Sequence, residues 1–404
     1  MSSRLQMLLT NCKIAGNQSL QDLRIVGENV AEVSTKLKAL EQEEVFDAKG
    51  ALLTSALAEP HSHLDKAFLA ERVPNPTGDL MGAITAMESS RGQISLADTI
   101  DRAEHAVRLM VGNGVTAIRT HADVTEWNTL DSIEALIEVR KRTQGMVDLQ
   151  ICALLGWPLS GDEGKSNLEL GRKAIAMGAD ILGGCPHLDV DPEGANNALI
   201  ELAGNLGCGL DLHTDEHTDV NRVSLEHLAE RIIATGFTNR VVASHCVSLG
   251  VQPESSQARI SEKVAEAKIG VVALPHTNLF LQGRDSPTAP PRGLTAIASL
   301  RRSGVKVAIG ADNLQDPFNP IGRGDPLESA GLAILTAHLL PLDAFAAVSN
   351  IARDVMGLVD SGPAVGSRAD LMLTPSGSIR EAIASTPERN LVIHKGKIVG
   401  SRLS

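Results

Sequence analysis

The chain has 404 residues, 43% apolar and 2% aromatic, with no Tyr, two Trp and a formal net charge of −12 at pH 7. Nucleic-acid backbones need clustered Lys and Arg, and single strands need stacking rings, so composition argues against both as partners. No apolar run is long enough to span a bilayer, and the N-terminus lacks a secretory pattern. Five scattered cysteines without a C-x-x-C pair read as reduced residues of a cytoplasmic protein. In chain order, residues 1–50 show short alternating runs broken by Gly-containing turns, which predicts β-structure. Strand candidates then follow at 51–63, 116–124, 147–155, 180–185, 209–216, 241–246, 270–277 and 305–312. Between them lie helical patterns such as LADTIDRAEHAVRLMVGNG and NNALIELAGNLG, with apolar residues three and four apart and a Gly stop. Strand–helix alternation of this kind predicts an α/β fold, a (β/α)8 TIM barrel with a long first connection. An open doubly wound sheet is disfavoured because no strand ends in a Gly-rich phosphate fingerprint. The last thirty-odd residues again read as short strands, so both termini are expected to build one small β-sandwich. The expected division is 1–55 with 362–404 for that unit and 56–361 for the barrel.

In such barrels reactive groups sit at the C-terminal ends of the strands. The polar residues there are His61 and His63 on the first strand, His213 and Glu216 on the fifth, His245 on the sixth and Asp312 on the eighth. His61 and His63 form a His-x-His pair, whose alternate positions share one face of a strand and can converge on one ion. Singly, each residue is more often a satisfied polar group than a ligand. Together at one end of one barrel, three imidazoles and a carboxylate suit Zn²⁺ or Fe²⁺ with a position left for water.

The motifs EPHSHLDKAF, RTHADV, VDLQICA, HTDEHTD, ASHC, NLFLQGR, GADNLQDPFNP and GSRADLMLTP run in order through the chain. On these the sequence resembles the amidohydrolase superfamily, and within it the cytosine deaminase-like branch, to which N-isopropylammelide amidohydrolase is related. The resemblance implies a distorted barrel with a composite β-sandwich and one divalent metal ion, Zn²⁺ or Fe²⁺, held by His61, His63, His213 and Asp312. The fourth strand, DILGGCPHLD, offers no bridging Lys or Glu for a second ion, and His187 beyond it reads as a loop residue. The implied reaction is hydrolytic deamination of an amino-substituted nitrogen heterocycle, cytosine-like or a modified pyrimidine. Asp312 would take a proton from the activated water, His245 would orient the attack, and Glu216 would move a proton to a ring nitrogen and then to the leaving amine.

The positions that read the ring differ from the cytosine deaminase pattern. Gly156 and Trp157 stand where a Gln is expected, Asn313 where a second Asp is, and Phe318 where a Trp is. Trp157, Asn313 and Phe318 are therefore the expected substrate-binding residues. The alternative is release of a substituted amine or opening of a cyclic amide, as in ammelide-type chemistry. A non-catalytic scaffold of this superfamily would drop ligands or the proton shuttle, and all are present here. His121 is expected to support the site from behind, His217 to be a bystander, and His276 to be a candidate pocket residue. Asp65 and Lys66 are expected to close the first loop by an ion pair, although Lys66 could instead meet an anionic group of a substrate. The partner is expected to be a small heterocycle, with a homo-oligomer allowed and no membrane.

Overall fold

The structure is a computed structural model that describes residues 6–401. It opens with β1 (Gln6–Ile14), β2 (Gln21–Val26), β3 (Asn29–Ser34), β4 (Glu44–Asp47) and β5 (Leu52–Ser55). The barrel strands follow as β6 (Leu57–Ser62), β7 (Val115–Val124), β8 (Asp148–Leu155), β9 (Ile181–Gly184), β10 (Gly209–Thr214), β11 (Val241–His245), β12 (Gly270–Ala273) and β13 (Val307–Ile309). The chain ends with β14 (Leu371–Thr374), β15 (Leu391–His394) and β16 (Lys397–Ser401).

Strands β6 to β13 pair in sequence order, every neighbour parallel, as right-handed strand–helix repeats require. The last pairing is irregular. Ser62 bridges Asp312, the Asp312 amide donates to the His61 carbonyl at 3.1 Å, and the buried Glu59 carboxylate accepts from the Ala311 amide. This seam carries Asp312 round to the end of β6, so closing the barrel also builds the site.

The single strand predicted over 51–63 is in fact two. After Ser55 the Ala56 amide donates to the Asp370 carbonyl, and one residue later the Leu57 amide donates to that of Gly114. Strand β5 therefore belongs to the terminal sheet, ordered β16-β15-β14-β5-β1-β2-β3 with β4 on β1, and β6 belongs to the barrel. An unbroken apolar run carries no periodicity to mark such a switch. Side chains from both ends of the chain, among them Leu9, Leu23, Leu53, Leu371 and Ile393, share one core in this sheet.

Helices form where the apolar period and caps coincide. Leu96–Gly112 starts at Ser95, whose side chain accepts from the Asp98 amide, and buries Ala103, Ala106, Val107 and Met110 along one stripe. Pro192–Leu206 starts at Asp191 and stops at Gly207, whose φ of +67° is the left-handed cap that glycine adopts most cheaply. Ala58, Ala117, Val242, Val272 and Ala308 form a separate cluster with Ala352, Val355 and Met356 of the helix Asn350–Met356. Small residues on the strands leave room for that helix. The His-rich end is left polar.

Candidate metal and active site

His61 lies in β6 and His63 just after it, His213 lies in β10, and His245 ends β11. Asp312 lies three residues beyond the end of β13, so the eighth strand is shorter than its apolar pattern predicts. His245 and Asp312 have φ of +68° and +67°. Non-glycine residues there cost on the order of 1 kcal/mol each, and such strain collects at functional sites.

All six residues predicted at the strand ends are buried. His63 Nε2 is 3.2 Å from His213 Nε2 and 3.3 Å from Asp312 Oδ1, which is 3.6 Å from His61 Nε2. Two donor sets, His61–His63–Asp312 and His61–His213–His245, each have their ligand atoms within 4.8 Å of one another. His61 Nε2, His245 Nε2 and both Asp312 oxygens are buried without a hydrogen-bond partner. Burial first, and the neighbouring imidazoles second, hold His61 and His213 well below the usual histidine range. For His63 the causes are burial and then Lys66. These rings are neutral at pH 7, so nitrogen lone pairs face a carboxylate that receives no hydrogen bond. Such an arrangement is costly when empty and favourable around a cation, so the donor set fits a divalent ion.

Buried acceptors set which nitrogens are bare. His61 Nδ1 is 2.9 Å from Ser244 Oγ, which donates to Asp211 Oδ1 at 3.0 Å; Asp211 Oδ2 accepts from Arg119 at 2.7 Å. Because the serine proton goes to Asp211, its oxygen accepts from His61 Nδ1–H and leaves Nε2 unprotonated. His245 Nδ1 is likewise 3.1 Å from Asn278 Oδ1 and 3.4 Å from Glu216 Oε1. Burial, reinforced by Asp312, pushes Glu216 well above the usual carboxyl range.

The remaining histidines separate by contact. His121 stacks on His61 with ring centroids 3.8 Å apart and faces Asp211. His187 Nδ1 is 3.0 Å from the His213 carbonyl oxygen, behind the donor cluster. His276 turns to Ser329 Oγ at 3.1 Å and does not line the cavity. Half-buried His217 does not line it either. Lys66 pairs with Asp65 at 3.3 Å, as expected of the first loop, and more closely with Asp123 at 2.7 Å.

Above the cluster lies a cavity of about 710 Å³, counting its open mouth. His63, His213, Glu216, His245 and Asp312 form its floor, and Trp157, Asn313 and Phe318 lie on its walls. Sequence reasoning missed other parts of the wall, among them Leu80, Ile84 and Met87 of the helix Leu80–Ser90, Trp127, Asp123 and Thr277, while Lys66 and Gly156, both singled out from the sequence, line it too. The apolar spacing of LMGAITAM in the long first connection is a usable signal, whereas nothing in TEWNTL marks Trp127. Both tryptophans of the chain meet in this cavity.

Residues 78–400 match the Amidohydrolase family. The pterin deaminase of Rhizobium rhizogenes is 34% identical over 362 residues, covering 88% of this chain and 82% of that protein. The N-isopropylammelide isopropyl amidohydrolase of a Pseudomonas species is 26% identical over 417 residues, covering 99% and 98%. Among solved structures, 5-methylcytosine deaminase from Klebsiella pneumoniae liganded with 5-fluorocytosine superposes with a TM-score of 0.90 at 28% identity, covering 98% of each chain. With its parallel barrel, its buried His/Asp donor cluster and a family match over most of its length, the chain belongs to the amidohydrolase family and is a hydrolase of non-peptide carbon–nitrogen bonds.

Proposed function

We propose that the protein is a deaminase of amino-substituted nitrogen heterocycles that uses a single divalent ion, Zn²⁺ or Fe²⁺, held by His61, His63, His213 and Asp312. The observation that carries this reading is a buried Glu216, 3.4 Å from His245 Nδ1, at the floor of a cavity walled by Trp127, Trp157 and Phe318. A bound ion supplies water made acidic near neutral pH. With the ion bound, Asp312 would be placed to accept a proton from the water it activates. His245 turns its bare Nε2 to the same point, 4.0 Å from Asp312 Oδ2, where it would orient the attacking oxygen. A protonated Glu216 would deliver its proton to a ring nitrogen, where it stays and makes the adjacent carbon electrophilic; of the two protons of the attacking water, one then leaves with the amine and the other restores Glu216. The aromatic and aliphatic walls hold the ring flat and keep bulk water away.

The names of the relatives point to pterin, 5-methylcytosine and N-isopropylammelide. A fused two-ring substrate of the pterin type is our first choice, because Gly156 stands where a ring-reading Gln is expected and the walls extend to Trp127. Five unpaired cysteines support a reducing, cytoplasmic setting. No helix among the described residues is long and apolar enough to cross a membrane. We also assign residues 1–55 with 362–404 to one unit and 56–361 to the barrel.

The test is amine release from pterin, 5-methylcytosine, cytosine and N-isopropylammelide by protein loaded with Zn²⁺ or Fe²⁺. Ammonia from pterin is the expected result. Isopropylamine from the last compound alone would favour the alternative chemistry, and no amine from any ring would overturn the reading.

A further inference from the structure

We propose that Asp316 is a positioning residue: it fixes the amide of Asn313 so that the oxygen faces the cavity, and the site thereby selects heterocycles that present an N–H to that wall. This rests on the reading above and adds to it the hydrogen-bond character of the substrate edge.

Asp316 is fully buried in the loop after β13. Its Oδ1 accepts from the amides of Phe318 at 2.9 Å and Asn319 at 3.1 Å, and its Oδ2 accepts from Asn313 Nδ2 at 2.7 Å. A carboxylate accepts and does not donate, so the nitrogen of the Asn313 amide must turn towards it. The loop leaves Asn313 little freedom to escape: its carbonyl accepts from Asn319 Nδ2 at 3.1 Å, and the Asp316 amide donates to the Asn319 carbonyl at 3.2 Å. Asn313 Oδ1 then accepts a long hydrogen bond from Thr277 Oγ1 at 3.5 Å. Asn313 and Thr277 both line the cavity beside Asp312. An amide oxygen there pairs with a ring N–H or an exocyclic amino group. Against a ring lone pair or an ether oxygen it would be left buried without a donor.

Asp316→Asn should reverse the amide, because the introduced nitrogen would face Asn313 and attract its oxygen. The exchange Asn313→Asp with Asp316→Asn restores the pattern with the two side chains swapped. The amide introduced in the loop donates to the carboxylate introduced beside Asp312, and that carboxylate keeps an oxygen on the cavity. Burial pushes Asp316 up to about 7, so the comparison belongs at pH 8.5. The readouts are kcat/KM for pterin and 5-methylcytosine, quenching of the two cavity tryptophans by the same compounds, and bound metal. We expect the single variant to lose roughly 10- to 100-fold in kcat/KM at unchanged metal content. The exchange should recover to within about threefold of wild type, a coupling that mere loss of a carboxylate would not give. A single variant equal to wild type, or an exchange no better than the single variant, would overturn the assignment while leaving the deaminase reading intact. If wild-type protein neither binds nor deaminates these two rings, and cytosine and N-isopropylammelide release no amine either, the deaminase reading fails and this inference falls with it.

Discussion

The donor cluster at the strand ends and a second histidine–aspartate cluster share ligand-like spacing, and their surroundings differ. At the C-terminal ends of the strands, His61, His63, His213 and Asp312 face one another without a hydrogen bond on either Asp312 oxygen. Where β8 begins, Asp148, Asp370 and His394 also lie within 4.8 Å of one another. There every carboxylate meets cations: Arg353 and Arg368 lie 2.9 and 3.0 Å from Asp370, while Lys395 and Arg368 lie 2.5 and 3.0 Å from Asp148. The first cluster is short of positive charge and suits an incoming ion. The second supplies its own and clasps β8 and the helix Asn350–Met356 to β14 and β15. Residue type alone does not tell a ligand set from a clasp; local charge balance does.

The largest effect should come from the proton carrier. Glu216→Gln keeps the shape but removes the mobile proton, so kcat should fall about 10²- to 10⁴-fold with bound metal unchanged. A variant that turns over normally would remove Glu216 from the chemistry. At the clasp the consequence should be loss of stability rather than loss of turnover. Asp370 is fully buried, and Asp370→Asn would leave the buried Arg353 without its carboxylate, at a cost of about 3–5 kcal/mol in denaturant unfolding. Bound metal should not change. If metal content fell with Asp370→Asn, the division between the two clusters would be wrong.

This contrast also explains how much could be read from the sequence. The six strand-end residues were legible because strand alternation and barrel topology place them together whatever the detailed register. The switch from β5 to β6 was hidden, since both strands are fully buried and read as one apolar run. Helix Leu80–Ser90 was legible as an amphipathic segment but not as a cavity wall, and Trp127 not at all: both form that wall through tertiary packing, and local pattern does not say which face of a helix meets a site. Glu59 reads in the sequence as an ordinary polar residue. Burial pushes it up to about 8, and it accepts from the His61 and Ala311 amides at the barrel seam.

The relay beneath the ligands offers a finer comparison, because it orients one imidazole without touching an ion. Ser244→Ala would free His61 Nδ1 from its acceptor and allow the proton to sit on Nε2 instead. Metal affinity, measured by competition with a chelator, should weaken about 10- to 100-fold, with little change in the unfolding of the metal-free protein. An equal loss of metal-free stability would make Ser244 a packing residue only.

The smallest effect, and the one that isolates the clasp, is its pH dependence. Burial pushes His394 down, but Asp148 and Asp370 outweigh it and raise the imidazole above its ordinary value. A raised folded-state value means that the charged ring favours the native state. That contribution is complete below the unfolded value of about 6.5 and is lost as pH rises through the higher folded value. Stability of metal-free wild-type protein should therefore decline from pH 6 towards alkaline pH, and His394→Gln should flatten the decline in that window. The donor cluster should not contribute with the same sign, because burial lowers His61 and His213 and their neutral forms favour the folded state. Their contribution grows as pH rises through about 6.5. A His394→Gln profile that fell as steeply as wild type would assign the alkaline loss to other groups and leave the clasp without its histidine.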